Sequence, residues 1–356
     1  MLTRCASRWA AGFLLGMVGA THLEGGPASS APAPAAAKTQ PLTGPFQWKS
    51  TGVLIPPISD ETHRLVSVKD PSAVFYNGRW HLYATTANER GHWSMMCLGF
   101  KDWAEAARAK PYYLDQNPNL RGYHCAPQVF YFRRHKLWYL IYQSQHPQYS
   151  TTDDISRPET WSRPESFFAA KPPGAPPLWI DYWVICDETH AYLFFTGDDG
   201  NLYRSRTKIR DFPKGMSDPA IAIRETRDVL FEGSMTFRIK GTRTYLTLVE
   251  ALGPDRYYRA FTADRLDGPW TPMPEADTYR KPFAGFHNVT FEDGVAPWTR
   301  DISHGELIRD GYDETMTIDP VHLQLLYQGR DPKVRTNDYA LLPYQLGLLR
   351  LDRSRR

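Results

Sequence analysis

The sequence predicts an all-β fold, and more specifically a five-bladed β-propeller. Two observations support this prediction: strand pairs recur with a period near 50 residues, and helical periodicity is almost absent. The second strands of successive pairs align on Tyr83, Tyr139, Leu193 and Tyr245, which gives steps of 56, 54 and 52 residues. Such a repeat is typical of propeller blades rather than of a sandwich. An irregular all-β domain with coincidental spacing is the alternative.

Four blades can be assigned directly, because each repeat supplies a first strand, a turn and a second strand. The first strands are predicted at residues 73–76, 128–131, 182–185 and 235–238, and the second strands at 80–84, 137–141, 191–195 and 244–248. Third strands follow at residues 201–205 and 257–261. The pair Asn77-Gly78 between the first two strands is a strong hairpin signal.

A fifth blade is predicted from the C-terminal part of the chain. Its strands are expected at residues 302–308, 323–327 and 344–351, and an N-terminal strand near residues 52–55 is expected to close the ring. A blade that combines strands from both ends of the chain would protect the sheet edges.

The first 45 residues are predicted to lie outside the propeller. Arg4 and Arg8 precede an apolar run over residues 9–20, which is too short to span a bilayer and predicts a secretory signal peptide over residues 1–24. Residues 25–45 are rich in Pro, Ala and Ser and predict a linker, so the propeller domain is expected over residues 46–356. No later stretch is apolar over the roughly 20 residues of a spanning helix. We therefore expect a secreted, extracellular protein without a membrane partner.

The charge pattern argues against a nucleic-acid partner. The 42 basic and 39 acidic residues give a net charge of +3, and no Lys/Arg block is present. An uncharged partner is expected instead. Aromatic residues make up 13% of the chain, and their faces suit sugar rings, although packing between strands would also account for them.

The cysteines allow at most one internal disulfide after the signal peptide. Cys97 and Cys125 are able to pair in an oxidising compartment, and the sequence leaves this open. Cys186 lies in an apolar run and is interpreted as a buried small hydrophobe. The absence of a CxxC pair argues against a zinc site.

Three carboxylates stand immediately before first strands, namely Asp70, Asp181 and Glu232. The innermost strands of a propeller begin at the central channel, so these side chains are expected to converge on one pocket. An acid and a carboxylate are the minimum for hydrolysing a glycosidic bond, and a third carboxylate can raise the pKa of the acid. The alternative is structural, with Asp70 capping a turn before Pro71 and Asp181 bonding strand backbone.

Long stretches of the chain resemble glycoside hydrolase family 62, in order, over residues 46–352. They are VKDPSAVFYNGRWHLYAT, APQVFYF, WYLIYQ, WIDYWVICD, FEGS, DISHGELIRDG, MTIDPVHLQLLYQG and LLPYQLGLLRLD. The resemblance implies a five-bladed propeller that removes α-L-arabinofuranosyl side chains from arabinoxylan and arabinoxylo-oligosaccharides with inversion. We expect it to act as a monomer.

The same resemblance implies a role for each carboxylate. Asp70 matches the general base that activates water, and Glu232 matches the general acid that protonates the leaving oxygen. Asp181 matches the residue that tunes the acid and orients the sugar.

Four further residues are candidates for binding. By the same resemblance Lys69 would contact the arabinose, and Tyr339 matches a pocket tyrosine near the reacting sugar. Gln128 occupies a position that would face the channel. Lys69 is alternatively a solvent-facing lysine, and Gln128 a core-capping amide. His304 resembles the histidine associated with a structural Ca²⁺, for which water would complete most of the ligand shell because Ca²⁺ prefers oxygen.

Two departures from the family pattern affect the prediction of substrate preference. They are residues 122–125 and Gly233, where alanine would be less surprising. Trp93, Tyr123 and Trp183 are candidates for contacts with neighbouring xylose units, or they merely pack. A related β-xylosidase or arabinanase and a non-catalytic sugar-binding propeller are the alternative functions; the presence of all three carboxylates argues against the last.

Overall fold

The structure is a computed structural model in which residues 42–354 are described. Residues 42–354 belong to one compact unit of the chain. The predicted signal peptide, and the predicted linker up to residue 41, lie outside the described residues. Leu42 already packs in the hydrophobic core, slightly before the domain start predicted at residue 46. Between residues 42 and 354, no helix is long and apolar enough to cross a membrane.

Twenty-two strands make up the described chain. In chain order they are β1 (Trp48–Ser50), β2 (Leu65–Tyr76), β3 (Arg79–Asn88), β4 (Trp93–Phe100), β5 (Tyr112–Tyr113), β6 (Cys125–Phe132), β7 (Leu137–Gln143), β8 (Pro147–Thr152), β9 (Glu165–Ser166), β10 (Ile180–Cys186), β11 (His190–Thr196), β12 (Asn201–Lys208), β13 (Ala220–Arg224), β14 (Glu232–Ile239), β15 (Tyr245–Ala251), β16 (Tyr257–Ala263), β17 (Thr271–Pro272), β18 (Val289–Phe291), β19 (Ser303–Leu307), β20 (Thr317–Ile318), β21 (Gln324–Gly329) and β22 (Gln345–Leu351).

The helical segments of the described chain are short 3₁₀ turns that connect the strands. They are Trp103–Arg108, Leu114–Gln116, Pro118–Leu120, Pro158–Thr160, Phe286–Asn288 and Tyr339–Leu341.

The strands form five sheets, each of which is one blade, so the predicted all-β, five-bladed propeller is confirmed. Blades one to four run outward as β2 to β5, β6 to β9, β10 to β13 and β14 to β17, and β20 adds to the inner side of β14. The innermost strands β2, β6, β10, β14 and β19 contact one another in cyclic order, which closes the ring. At the first hairpin, Asn77 (φ 48°) and Gly78 (φ 71°) both adopt the left-handed conformation expected of an Asn-Gly turn.

The fifth blade combines both ends of the described chain, in the order β19, β21, β22, β1 and β18. The closing N-terminal strand was predicted at residues 52–55, but it lies at Trp48–Ser50, where Trp48 pairs with Leu351. Two features explain the difference. The Trp48 indole N–H donates to the Phe283 carbonyl at 2.6 Å, and Ile55, which makes only an isolated bridge, is followed by two prolines that have no N–H to continue a ladder.

Buried polar side chains tie the innermost strands together around the channel. Arg309 forms an ion pair with Glu306 at 2.5 Å, and its guanidinium donates to the carbonyls of Ala73 and Val129 on two neighbouring blades. Because these groups are shielded from water, each needs its partners. The ion pair therefore anchors β19 and the segment after it to the first two blades.

Candidate active site

The innermost strands share a β-bulge at one end of the channel. In four of them the pairing with the second strand shifts register, and the first bulged residue has a left-handed backbone: Asp70 (φ 48°), Ala126 (φ 50°), Asp181 (φ 58°) and Gly233 (φ 60°). In β19 the shift falls at His304. A bulge re-aims the side chain at that point, and here it does so in all five blades.

The sequence prediction placed the three carboxylates before their strands, and the structure corrects this placement. Asp70 and Asp181 lie within β2 and β10 at the left-handed bulge position. Glu232 is the first residue of β14, one residue ahead of that position, which Gly233 occupies. The inserted residue of a bulge leaves the hydrophobic periodicity nearly unchanged, so the offset was not visible in the sequence.

Asp70 and Asp181 meet at His304. The Nδ1 atom of His304 lies 3.4 Å from Asp70 Oδ1 and 3.7 Å from Asp181 Oδ1, and all three side chains are largely buried. Burial opposes protonation of His304, but the negative charges of Asp181 and Asp70, together with those of Glu250 and Glu232, outweigh it, so the pKa of the imidazole is raised. Burial raises the pKa of Asp181, and the nearby Asp70 adds to the rise while His304 opposes it.

The backbone of Asp70 is fixed by the fifth blade. Its N–H donates to Gln328 Oε1 at 2.8 Å, and the Gln328 amide donates in turn to Ser303 Oγ at 3.0 Å. This chain of hydrogen bonds joins β2 to β21 and β19. The Asp70 carboxylate is therefore held at the channel mouth, where 7% of its side chain is exposed.

Glu232 occupies the environment expected of a general acid. Its side chain is 16% exposed and contacts the guanidinium of Arg256. Burial raises the pKa of Glu232 to about 7; Arg256 opposes the rise, whereas Glu250 and Asp181 add to it. A carboxyl group with such a pKa carries its proton under mildly acidic conditions and can donate it.

Asp181 is coupled to the acid through the backbone. Its Oδ2 accepts a hydrogen bond from the N–H of Gly233 at 2.9 Å. The left-handed conformation of Gly233 turns this N–H toward the neighbouring blade, and a Cβ atom at Gly233 would lie 3.1 Å from Glu250 Oε2. The glycine that departs from the expected pattern is thus explained by backbone conformation and close packing.

Lys69 is a buried cation within an aromatic cage. Only 4% of the residue is exposed, and its Nζ lies 4.2 Å from the Trp93 ring centroid, 4.6 Å from that of Tyr339 and 5.7 Å from that of Tyr344. The Tyr339 hydroxyl lies 3.5 Å from the same ammonium group. The structure therefore brings Lys69 and Tyr339 together beside Asp70, and Lys69 is not a solvent-facing residue.

Gln128 lies apart from these groups. It is 1% exposed, its Oε1 accepts from the Val184 N–H at 2.7 Å, and its Nε2 donates to the Val184 carbonyl at 2.8 Å. Both ends of the amide are thus used to join β6 to β10. These contacts correspond to the core-capping alternative and leave no polar atom of Gln128 facing a ligand.

Three residues essential to the geometry were missed in the sequence. Arg256 contacts both Glu232 and Glu250, and Ser303 donates to Glu250 at 2.9 Å. Glu250 is opposite Glu232 in the pairing of β14 with β15, which a hairpin alignment would have revealed. Arg256 follows the end of β15 in a loop, where no periodicity marks it.

A cleft of about 760 Å³ opens next to the aromatic cage on the first blade. Its lining includes Trp93, Tyr123, Asn88, His92 and Ala340. The Trp93 and Tyr123 rings are stacked with centroids 6.2 Å apart. Aromatic faces and amide groups together suit a neutral sugar chain.

Trp183 does not share this cleft. It is 5% exposed, its indole N–H donates to the Thr236 carbonyl at 2.7 Å, and its ring packs on Phe237. It therefore packs between the third and fourth blades.

The residues around His304 offer calcium few ligands. Within residues 42–354, no group of three His, Cys, Asp or Glu side chains has the geometry to hold a metal ion. The Nδ1 atom of His304 faces two carboxylates, so the protein would offer a calcium ion only the other ring nitrogen. Because calcium prefers oxygen, water would have to supply most of its ligand shell here.

All three cysteines of the described chain are free thiols, so Cys97 and Cys125 are not bridged in this structure. Burial raises the pKa of the Cys97 thiol to about 12, and it also raises the pKa of Cys125 and Cys186. Groups of this kind are poor nucleophiles. The cysteines therefore contribute packing rather than chemistry.

A propeller that gathers buried acidic side chains at one end of its channel has the features of a glycoside hydrolase, in which an acid and a carboxylate act in one pocket. Comparison with known families agrees, since the sequence profile described as glycosyl hydrolase family 62 matches residues 47–350. The chain belongs to glycosyl hydrolase family 62.

Two relatives illustrate the extent of the match. Alpha-L-arabinofuranosidase C of Cellvibrio japonicus (strain Ueda107) is 44% identical over 322 residues, which are 89% of this chain and 49% of that protein. The chain therefore spans about half the length of this curated relative. The catalytic domain of the GH62 α-L-arabinofuranosidase from Coprinopsis cinerea is 44% identical with a TM-score of 0.83, over 87% of this chain and 98% of that one.

A third match was solved with a sugar bound. It is a GH62 hydrolase in complex with xylotriose, 43% identical with a TM-score of 0.81, over 88% of this chain and 99% of that one.

Proposed function

We propose that this protein hydrolyses α-L-arabinofuranosyl side chains of arabinoxylan with inversion of the anomeric carbon. The observation that carries the proposal is the pairing of a buried acid, Glu232, whose pKa is raised to about 7, with Asp70 and Asp181 at the same end of the channel. Family membership and the arabinofuranosidase relatives support arabinose as the sugar removed.

In the proposed reaction Asp70 and Glu232 act on opposite sides of the arabinose. Asp70 accepts a proton from a water molecule as the water oxygen attacks the anomeric carbon. The bond from that carbon to the xylan oxygen breaks, and Glu232 gives its proton to the leaving oxygen. Asp70 ends protonated and Glu232 ionised, and exchange with water restores both.

Asp181 supports the acid in two ways. Its negative charge helps to raise the pKa of Glu232, and its hydrogen bond to the Gly233 N–H fixes the backbone that carries the acid. The charge favours the protonated form of Glu232, and the hydrogen bond holds the acid in position.

Lys69 and Tyr339 are proposed to contact the arabinose, because their polar groups meet next to Asp70. We further propose that the cleft beside Trp93 and Tyr123 holds the xylan chain. The xylotriose complex of the relative supports a xylan backbone as the partner.

Analysis of the released sugars tests the substrate directly. Wheat arabinoxylan, linear arabinan and xylo-oligosaccharides are digested in parallel and the products identified by chromatography. Arabinose released from arabinoxylan, with the xylan backbone left intact, is expected. Xylose as the only product would indicate a β-xylosidase and contradict the proposal, and release from linear arabinan alone would indicate an arabinanase.

Three further properties remain proposals. Export by a signal peptide over residues 1–24 is tested by N-terminal sequencing of the mature protein, and a monomeric state by light scattering. A structural calcium ion at His304, ligated largely by water, is tested by thermal unfolding with calcium and with a chelator. An unchanged melting temperature would contradict the calcium proposal.

A further inference from the structure

Glu250 is a fully buried acidic residue that faces the acid Glu232 across a strand pair. The two residues are directly opposite in the β14–β15 ladder, and Glu250 is 0% exposed. Like charges placed opposite one another on neighbouring strands are destabilising unless a cation separates them. Arg256 is that cation, since one of its guanidinium nitrogens, Nη1, contacts a carboxylate oxygen of each glutamate.

The Glu250 side chain accepts hydrogen bonds at both of its carboxylate oxygens. Its Oε1 accepts from Arg256 Nη1 at 2.5 Å and from Ser303 Oγ at 2.9 Å, and its Oε2 accepts from the His304 N–H at 2.7 Å. These contacts give both carboxylate oxygens hydrogen-bond partners. Because the residue has no exposed surface, a substrate cannot reach it, and it can act on the reaction only through its neighbours.

We propose that Glu250 is a positioning residue for the acid. It binds Arg256 at the same time as Glu232 does, so the guanidinium holds Glu232 in place while its positive charge is shared between the two glutamates. This inference rests on the proposed function, in which Glu232 is the general acid. Arg256 is further fixed by its backbone N–H, which donates to Asp301 Oδ1 at 3.0 Å, and by the Phe231 ring, which packs against its guanidinium.

The electrostatics agree with this geometry. Burial raises the pKa of Glu232, Arg256 lowers it, and Glu250 raises it again. Without Glu250, the full charge of Arg256 would act on Glu232 and favour its ionised form, which has no proton to give. Loss of Glu250 should therefore lower kcat most on substrates whose leaving oxygen must be protonated.

The test compares leaving groups in the variant Glu250→Gln. Release of arabinose from arabinoxylan requires the acid, whereas an aryl arabinofuranoside with a dinitrophenolate leaving group departs almost unaided. We expect kcat on arabinoxylan to fall about 10-fold or more, kcat on the aryl substrate to fall less than about 3-fold, and KM to stay nearly constant.

Glu225→Gln is the matched control, because the Glu225 side chain pairs with Arg259 of β16 at 3.5 Å rather than with Arg256. Neither rate should change in it. If Glu250→Gln lowers kcat equally on both substrates, the role of Glu250 is purely structural and the proposal is overturned. If kcat on arabinoxylan does not fall, Glu250 has no role in the reaction and the proposal is likewise overturned.

Glu250→Asp serves if the glutamine variant does not fold, and it should show the same dependence on the leaving group because the shorter side chain loses its reach to Arg256; equal losses would again overturn the proposal. A wild-type protein that releases no arabinose from arabinoxylan would overturn the proposed function itself. The two failures are therefore distinguishable.

Discussion

The Asp181 carboxylate accepts a hydrogen bond at 2.9 Å from the N–H of Gly233, the residue that follows Glu232. This contact joins the third and fourth blades at the point where the bulges of β10 and β14 face each other. It couples two carboxylates through one rigid peptide, so that the orientation of Glu232 depends on Asp181.

Replacement of the proposed acid or base should abolish the reaction by different routes. For Glu232→Gln we expect kcat on arabinoxylan to fall by about 100-fold or more, the lower range of a general-acid contribution. For Asp70→Asn we expect near-total loss of activity with substrate binding retained. Kinetics and isothermal titration with arabinoxylo-oligosaccharides measure both, and arabinose released by Glu232→Gln at the wild-type rate would exclude Glu232 as the acid.

The pH dependence of kcat/KM should report the protonation state of Glu232. Its pKa is raised to about 7, chiefly by burial, and only its protonated form can act as an acid. The value of kcat/KM should therefore decline as the pH rises through about 7. Because the folded-state pKa lies above the unfolded value, the favourable contribution of this proton to stability is present below the unfolded pKa and is lost as the pH rises toward 7.

The descending limb should move or vanish in Glu232→Gln, measured on an activated aryl substrate to retain a signal. An unshifted limb in that variant would assign the pKa to another group.

Gly233→Ala should reduce both stability and activity. A left-handed alanine costs about 1–2 kcal/mol, and its Cβ would lie 3.1 Å from Glu250 and 3.5 Å from the His304 ring. Gly78→Ala is the matched control, because Gly78 is also left-handed but has no atom within 4 Å of its added Cβ. Thermal unfolding should show a larger loss in Gly233→Ala than in Gly78→Ala, and only Gly233→Ala should lose activity. Equal activity in the two would show that the packing around Gly233 is irrelevant.

Much of the architecture was predictable because it is determined by local sequence patterns. The repeat near 50 residues located the first four blades, and the Asn77-Gly78 turn was correctly predicted. The closing strand was predicted at the wrong residues, because its pairing at Trp48–Ser50 is with β22 from the opposite end of the chain, and no local sequence pattern indicates such a pairing.

The site was predictable only in part, for a related reason. Asp70, Asp181 and Glu232 stood out by position and neighbours, but the bulges that aim them are invisible to periodicity. Arg256 carries no local signal, since its significance comes from contacts with Glu232 and Glu250 that only the folded blades create.

Lys69→Met should weaken substrate binding more than it slows the reaction. The variant keeps the aliphatic length that fills the aromatic cage and removes the ammonium that lies 3.5 Å from the Tyr339 hydroxyl. Loss of one charged hydrogen bond, about 1.5 kcal/mol, corresponds to a rise in KM of about 10-fold. Lys171→Met is a suitable control, because Lys171 lies 5.7 Å from the Trp179 ring outside this cage. An unchanged KM in Lys69→Met would remove Lys69 from the binding site.

The buried ion pair between Arg309 and Glu306 should contribute strongly to the free energy of unfolding. In Arg309→Met the Glu306 carboxylate would lose its partner while both positions stay buried, which typically costs about 3–5 kcal/mol. Arg265→Met, which removes a largely exposed partner of Asp267, should cost less than about 1 kcal/mol. Denaturant unfolding measures both, and similar values for the two variants would contradict an anchoring role for Arg309.

The most direct test of the proposed reaction is proton NMR of arabinoxylan digestion, followed from the first minutes. Attack of water activated by Asp70 on the face opposite the leaving xylan predicts that β-L-arabinofuranose is formed first and then equilibrates with the other forms. Initial release of the α-anomer would contradict the roles assigned to Asp70 and Glu232.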